Sequence, residues 1–202
     1  MSGSRQVDVL RLGFGAIAII AFAIGALVVL PYITLKDVTP PPGLKRYSEA
    51  ALRGRQVYIA NGCIYCHSQQ PRDPSVAPDQ ARGWGRPSVP GDYVIDRPHL
   101  LGTMRTGPDL FNIGVRQPSE SWHLGHLYQP RAYLPGSIMP AYPFLFSVRT
   151  GPAVGGETVV ALPPGVVPKG SRVVASDAAR DLVAYLLELD RSYPVLPAER
   201  VR

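Results

Sequence analysis

The sequence predicts a mainly α chain: one N-terminal transmembrane helix, then one modest domain of a few helices with long loop insertions. Three observations carry that expectation. No charged residue lies between Leu12 and Leu35. Two later segments, opening at Ser48 and at Ser176, each follow a capping residue with helical patterning. The 202 residues include 22 Pro and 20 Gly. Proline fixes φ and lacks a donor, and glycine frees the backbone, so both push the remainder toward loops.

The first element is the uncharged run 12–35. A helix rising about 1.5 Å per residue crosses an about 30 Å hydrocarbon core in about 20 residues, so the run is long enough. Arg5, Asp8 and Arg11 precede it, and Lys36 and Asp37 follow. A cleaved signal peptide would have a shorter apolar region and a small-x-small site; VVLPYITLKD offers none. The expectation is a retained anchor. Arg5 and Arg11 on one side nearly balance Lys36, Lys45 and Arg46 on the other, so positive charge does not decide its orientation. The following Thr39-Pro-Pro-Pro-Gly43 favours extended polyproline geometry and predicts a semi-rigid stalk. The expected organisation is a short cytoplasmic N-terminus (1–11), anchor (12–35), stalk (36–46), domain (47–192) and tail (193–202). The formal charge of +6 is spread along the chain, and no nucleic-acid-binding pattern accompanies it.

Within the domain, Ser48 can cap a helix running to about Ala60, with Glu49 in its first turn near the positive dipole end. Gly54 and Tyr58 share a face there, and a glycine allows a second helix to approach closely. Near the C-terminus Ser176 and Asp177 open another helix, with Leu182, Tyr185, Leu186 and Leu189 on one stripe.

The two cysteines sit in Cys63-Ile-Tyr-Cys66-His67. Two residues between the thiols let both reach one porphyrin edge and add to its vinyl groups, and the next residue supplies an imidazole to iron. Three other readings stand beside covalent haem. A redox dithiol needs a strand-then-helix setting and no adjacent histidine. A zinc site would need His123 and His126 as further ligands, at spacing unlike a finger. The third is a chance match in a loop.

The sixth iron position has several candidates. Met139 precedes Pro140, which biases it toward extended backbone suited to projecting a thioether from a loop. Met1 lies beyond the anchor, and Met104 adjoins Arg105. His99, His123 and His126 are the alternatives; His123 and His126 share one face in SESWHLGHLY. A His/Met pair raises the potential and leaves no open position, so such a domain conducts electrons without bond chemistry of its own. Arg82, Arg86 and Arg105 are candidates for the haem propionates, as are the indole N–H groups of Trp84 and Trp122.

The helix before the C-x-x-C-H pattern and the amphipathic final helix resemble class I cytochromes c, in which these helices cross and close the haem pocket. Arg105-Thr-Gly-Pro-Asp-Leu-Phe-Asn-Ile-Gly114 resembles the loop that follows attachment in that class. The resemblance implies that the Pro108 carbonyl accepts from the free nitrogen of His67, fixing its tautomer. A narrower match covers Gly54 to Leu145. Gly62-Cys63-Ile-Tyr-Cys66-His67-Ser-Gln69, Tyr93-Val-Ile-Asp96-Arg-Pro98, Gly102-Thr-Met-Arg105-Thr-Gly-Pro-Asp109-Leu, Trp122-His123 and Met139-Pro140-Ala-Tyr142-Pro143 resemble the mono-haem cytochrome c subunit (subunit II) of cbb(3)-type haem-copper oxidases.

That resemblance implies one covalently bound haem c with His67 and Met139 on iron, and a structural His123. It implies a polytopic haem-copper catalytic subunit as electron acceptor and a di-haem cytochrome c subunit or other cytochrome c donor upstream. It places the domain on the outer, periplasmic side of a bacterial inner membrane, in contact with lipid through its anchor. The segment Phe146–Ala175 departs from the family pattern, and Gln70 stands where an apolar residue is expected. Short strands are expected at Thr158–Leu162 and Arg172–Val174. The long stretch Ser68–Thr103 carries Trp84, Tyr93, Val94 and Ile95 and is expected to be ordered and to dock on the partner. The competing functions are a nitric oxide reductase cytochrome subunit, a free-standing tethered shuttle, and a haem enzyme or gas sensor with an open iron.

Overall fold

The structure, a computed structural model, describes residues 9–195. Most of the expected N-terminal flank (1–11) and of the expected tail (193–202) lies outside the described residues. One apolar helix, long enough to cross a membrane, runs Val9–Leu35 and buries none of its hydrophobic window. It comprises α1 (Val9–Ile24), a π turn at Gly25–Val29 and α2 (Leu30–Leu35). The π turn has a cause in sequence. Pro31 has no N–H and its ring crowds the preceding turn, and the helix widens just before it, with the Leu30 N–H reaching Gly25 O.

The proline stalk packs on the domain. Pro41 is buried. Thr39 and Pro41 lie against Gly91, where a Cβ would come within 2.7 Å of Thr39 O and 3.0 Å of Pro41 Cδ. Gly43 abuts the Tyr193 ring. The domain also continues past residue 192. Tyr193 donates to Asp92 Oδ1 (2.7 Å) and accepts from Arg86 Nε through its carbonyl (3.0 Å).

The first domain helix, α3 (Glu49–Ala60), begins where the sequence places it. The Ser48 side chain accepts from the Ala51 N–H at 3.1 Å, and Glu49 occupies the first turn. The last helix, α6 (Asp177–Glu188), is capped in the same way by Ser176, which accepts from Ala179 N. The two cross in close contact. A Cβ on Gly54 would collide with the Asp181 carbonyl, so only glycine permits the approach. Arg53 then grips the Asp181 carboxylate with two bonds of 2.8 Å, and Glu188 at the end of α6 holds both N and Oγ of Ser48. The predicted stripe Leu182, Tyr185, Leu186 and Leu189 is buried with Tyr58 of α3. Tyr185 packs edge-on against Tyr58 with centroids 5.4 Å apart.

Two short helices, α4 (Ile113–Arg116) and α5 (Glu120–Tyr128), lie against α6. Ser119 caps α5 by accepting from Trp122 N. Gly114 abuts the Leu187 carbonyl nearly as closely as Gly54 abuts Asp181.

The strands differ from expectation. β1 (Phe146–Thr150) pairs antiparallel with β2 (Ser171–Ala175), with Phe146 opposite Ala175 and Thr150 opposite Ser171. The expected strand Thr158–Leu162 reduces to one bridge, Val159 to Val174. Pro163 and Pro164 follow directly and cannot extend a ladder. The FSVRT segment was missed because it directly follows the proline-rich loop.

The insertion 68–103 is tied down by buried carboxylates. Asp79, Asp92 and Asp109 are fully buried. Asp79 accepts from Arg72 N (2.8 Å) and Arg105 Nη1 (2.5 Å), and Arg86 bonds Asp92 at 2.6 and 3.0 Å. Trp84 lies under both Arg82 and Arg105, at 5.0 and 5.4 Å. Burial alone would raise Asp79, but the Arg72 N–H and the Arg105 and Arg72 guanidinium groups hold its carboxyl below the ordinary value. Its contribution to stability is therefore present above the ordinary carboxylate range and lost as pH falls through the lowered value.

Two outcomes follow for the full chain in detergent, read by thermal melting with circular dichroism. Gly54→Ala forces α3 and α6 apart and lowers stability by about 3 kcal/mol, the upper range for overpacking. Asp79→Asn removes the shorter of the two ion pairs of Arg105 and costs about 2–3 kcal/mol near neutral pH. The gap between Asp79→Asn and wild type narrows toward acid pH.

Candidate functional site: a cavity between two helices and two loops

Helix α3 stops at Asn61, and Gly62 takes a left-handed conformation (φ 66°) that turns the chain into a 3-10 turn at Cys63–Tyr65. The His67 N–H bonds Cys63 O at 2.9 Å. Both thiols and the imidazole are thus displayed within one compact turn after α3.

His67 is held from behind. Its Nδ1–H donates to Pro108 O at 2.7 Å. A carbonyl can only accept, so the proton sits on Nδ1 and Nε2 keeps its lone pair. Burial lowers the His67 pKa, against the opposing effect of the Pro108 carbonyl. Gly107 gives the imidazole its room, since a Cβ there would overlap the ring. The loop itself is stitched to the motif: Gly107 N bonds Cys66 O (2.9 Å) and Leu110 N bonds Ser68 O (2.8 Å). Asp109 completes the clamp by accepting from Ser68 Oγ (2.6 Å), Gln70 N (2.8 Å) and Phe111 N (2.8 Å).

A cavity of about 550 Å³ opens in front of this turn. That size suits a cofactor. Cys63, Cys66, His67 and Met139 all line it, together with apolar walls from Leu110, Ile113, Leu127, Ile138 and Leu186. Met139 arrives on the loop between α5 and β1. The Ser137 N–H bonds Leu134 O (2.9 Å), Ser137 Oγ accepts from Met139 N (3.2 Å), and Tyr142 N anchors to Leu127 O on α5 (2.9 Å).

The other candidates are placed as follows. His99 and Met104 are exposed and outside the cavity wall. His123 lines the cavity, but its Nε2 is committed to Gln117 O at 2.8 Å, a structural bond. Arg105 does not line the cavity. Its three nitrogens bond Ser68 Oγ (3.1 Å), Asp79 (2.5 Å) and Gln70 O (2.6 Å), which ties down the 68–103 insertion. Arg86 is committed to Asp92, and Arg82 and Trp84 stack on each other away from the cavity. Trp122 does line it. His126, one of the sequence alternatives for the sixth iron position, also lines it; its Nδ1 is buried with no hydrogen-bond partner among the described residues.

The residues fit a haem. The wall is apolar, two thiols adjoin an oriented imidazole, a thioether faces the same space, and glycines stand where side chains would intrude. The dithiol reading fits poorly: burial pushes the Cys63 thiol up to about 11, whereas reactive dithiols have lowered values. Among the described residues no cluster of three or more His, Cys, Asp and Glu side chains could hold a metal ion by themselves, which disfavours zinc.

The fold is that of a class I cytochrome c domain with long loop insertions, carried behind one apolar helix. A family model described as "Cytochrome C oxidase, mono-heme subunit/FixO" matches residues 5–162. The chain belongs to that family, the mono-haem subunit of cbb(3)-type oxidases. No curated protein matches it. The match extends into the segment from Phe146 that had seemed to depart from the family, and stops before β2 and α6. Membership implies one haem and, as partner, the catalytic subunit of the oxidase.

Gly107→Ala tests the imidazole cradle. The added methyl displaces the His67 ring from Pro108. The expected result is at least a tenfold loss of haem-containing subunit in membranes, read by haem staining, at similar transcript level.

Proposed function

We propose that this chain is the electron relay of its oxidase. Cys63 and Cys66 would hold one haem c covalently, and His67 and Met139 would ligate its iron. The observation that carries the reading is the single cavity onto which both thiols, the Pro108-oriented imidazole and the Met139 thioether converge. When bound, the haem supplies a one-electron iron couple. The residues supply its attachment, its orientation and a dry apolar wall. A thioether and an imidazole together on the iron would raise its potential and leave it no vacant position, so oxygen chemistry would belong to the catalytic subunit.

Electrons enter from a di-haem cytochrome c subunit or another cytochrome c donor and leave to the haem b of the catalytic subunit. The helix through residues 12–35 anchors the chain, with the N-terminus inside and the domain on the periplasmic side of the inner membrane. Thr39, Pro41 and Tyr193 pack on the body of 47–192, which supports a domain held in a fixed pose instead of a free tether. The ordered 68–103 insertion is the surface offered to the partner.

Purification of the complex in mild detergent tests the reading. Wild type gives a haem-stained band at the size of this chain on a denaturing gel, co-purifies with a polytopic subunit and consumes oxygen. Cys63→Ala and Cys66→Ala with Cys63→Ala lose the stain progressively. Met139→Ala keeps it but lets the reduced c haem bind carbon monoxide, and lowers oxygen uptake at least tenfold. A wild-type chain with no stained band, or an unchanged spectrum in Met139→Ala, overturns the assignment.

A further inference from the structure

Fixed charges near the ligand of a buried iron shift its potential, because a low-dielectric surround screens them little. Two such charges of opposite sign stand behind His67. Asp109 directly follows Pro108, whose carbonyl accepts from His67 Nδ1. Its side chain is fully buried. Oδ2 accepts from Ser68 Oγ (2.6 Å) and Gln70 N (2.8 Å), and Oδ1 accepts from Phe111 N (2.8 Å). Donors on both oxygens favour the ionised carboxylate. Burial raises its pKa, against these donors and the charge of Arg105. Arg105 stands 4.0 Å from Asp109 and makes its closer ion pair with Asp79.

Arg116 is the opposite charge. It ends α4, half-buried, and its Nη2 donates to the main-chain carbonyl of Asp109 at 2.7 Å. Its Nη1 is buried with no hydrogen-bond partner among the described residues, a cost to folding that a neutral side chain would avoid. Arg116 thus grips the Asp109 backbone, while the Asp109 carboxylate turns to Ser68, Gln70 and Phe111. The two charges share one residue, yet each keeps its own direction toward the motif. Burial is the main influence lowering the His67 pKa; beyond the Pro108 carbonyl, Arg116 lowers it further and Asp109 raises it. Both charges therefore reach the imidazole.

We propose that Asp109 and Arg116 are positioning residues of opposite charge that set the potential of the haem iron from behind His67. The inference rests on the haem reading above. Neither side chain lines the cavity, so neither touches the haem. Ferric iron carries one positive charge more than ferrous. The Asp109 carboxylate therefore favours the ferric form, and the Arg116 guanidinium favours the ferrous form. The opposition gives a relay its adjustment: a change at either position moves the potential up or down while the ligands stay the same.

A purely structural role predicts a different sign. Loosening the loop admits water, which stabilises the more highly charged ferric form and lowers the potential in any variant. The test uses the purified oxidase complex carrying Asp109→Asn, Arg116→Gln, or both. Covalent haem content, the methionine–iron charge-transfer band and the midpoint potential of the c haem are measured. Haem content and the band persist in each. In Asp109→Asn the ferrous-to-ferric ratio at fixed solution potential rises about tenfold, an upward shift of about 59 mV for a one-electron couple. In Arg116→Gln it falls by a similar factor, and the double variant returns toward wild type. A fall in both single variants overturns the proposal, and so does an unchanged potential in either one when it is haem-replete. If Asp109→Asn does not mature, Arg116→Lys decides, because it keeps the charge without the planar fork. A near-wild-type potential in Arg116→Lys beside a fall in Arg116→Gln supports the proposal; equal falls overturn it. Absence of covalent haem from the wild-type chain would instead defeat the reading on which this one rests.

Discussion

Where α3 crosses α6, the Gly54 Cα lies against the Asp181 carbonyl, and no side chain fits between them. Much else hangs on that approach. It fixes where α3 ends, and so where Gly62 turns the chain and the motif Cys63–His67 begins. It presses the Leu182–Leu189 stripe onto Tyr58 and sets Leu186 as part of the cavity wall. Arg53 to Asp181 and Ser48 to Glu188 pin the crossing at two points along α3. Exposed ion pairs of this kind add little alone. Here they act on a geometry that the glycine already imposes.

The opposite wall is built differently. It has little regular structure, and its shape comes from backbone bonds and buried carboxylates. Asp109 ties the segment after His67 to the loop that carries Pro108, and Asp79 ties that loop to the insertion through Arg105. Buried charges are expensive unless fully answered, and these are answered by N–H groups and arginines together. The consequence for function is rigidity around His67. An electron carrier gains from a site that rearranges little between oxidation states, and the proposed relay role is consistent with an imidazole clamped by Pro108 and given room by Gly107.

Local signals were legible in the sequence, and distant ones were not. Ser48 and Ser176 announced their helices because a cap acts within one turn. The Leu182–Leu189 stripe and the Gly54 contact followed from helical spacing. Met139 beside Pro140 could be singled out because that loop matched a family pattern, and it lines the cavity. The bond from Arg105 to Asp79 was not legible because Asp79 lies in an insertion whose path no periodicity reveals. The stalk was read as semi-rigid, but its packing was not legible, because polyproline geometry says nothing about Gly91, which Thr39 and Pro41 cover. The β1 strand was hidden because it abuts a proline-rich loop, and its partner lies beyond another.

The account turns on the iron being closed by His67 and Met139. Near-infrared magnetic circular dichroism of the oxidised complex addresses that most directly, because the ligand pair of a low-spin ferric haem sets the energy of its charge-transfer band. The account predicts a c-haem band of the histidine–methionine type. A band of the bis-histidine type, or a high-spin signature from the c haem, would contradict it.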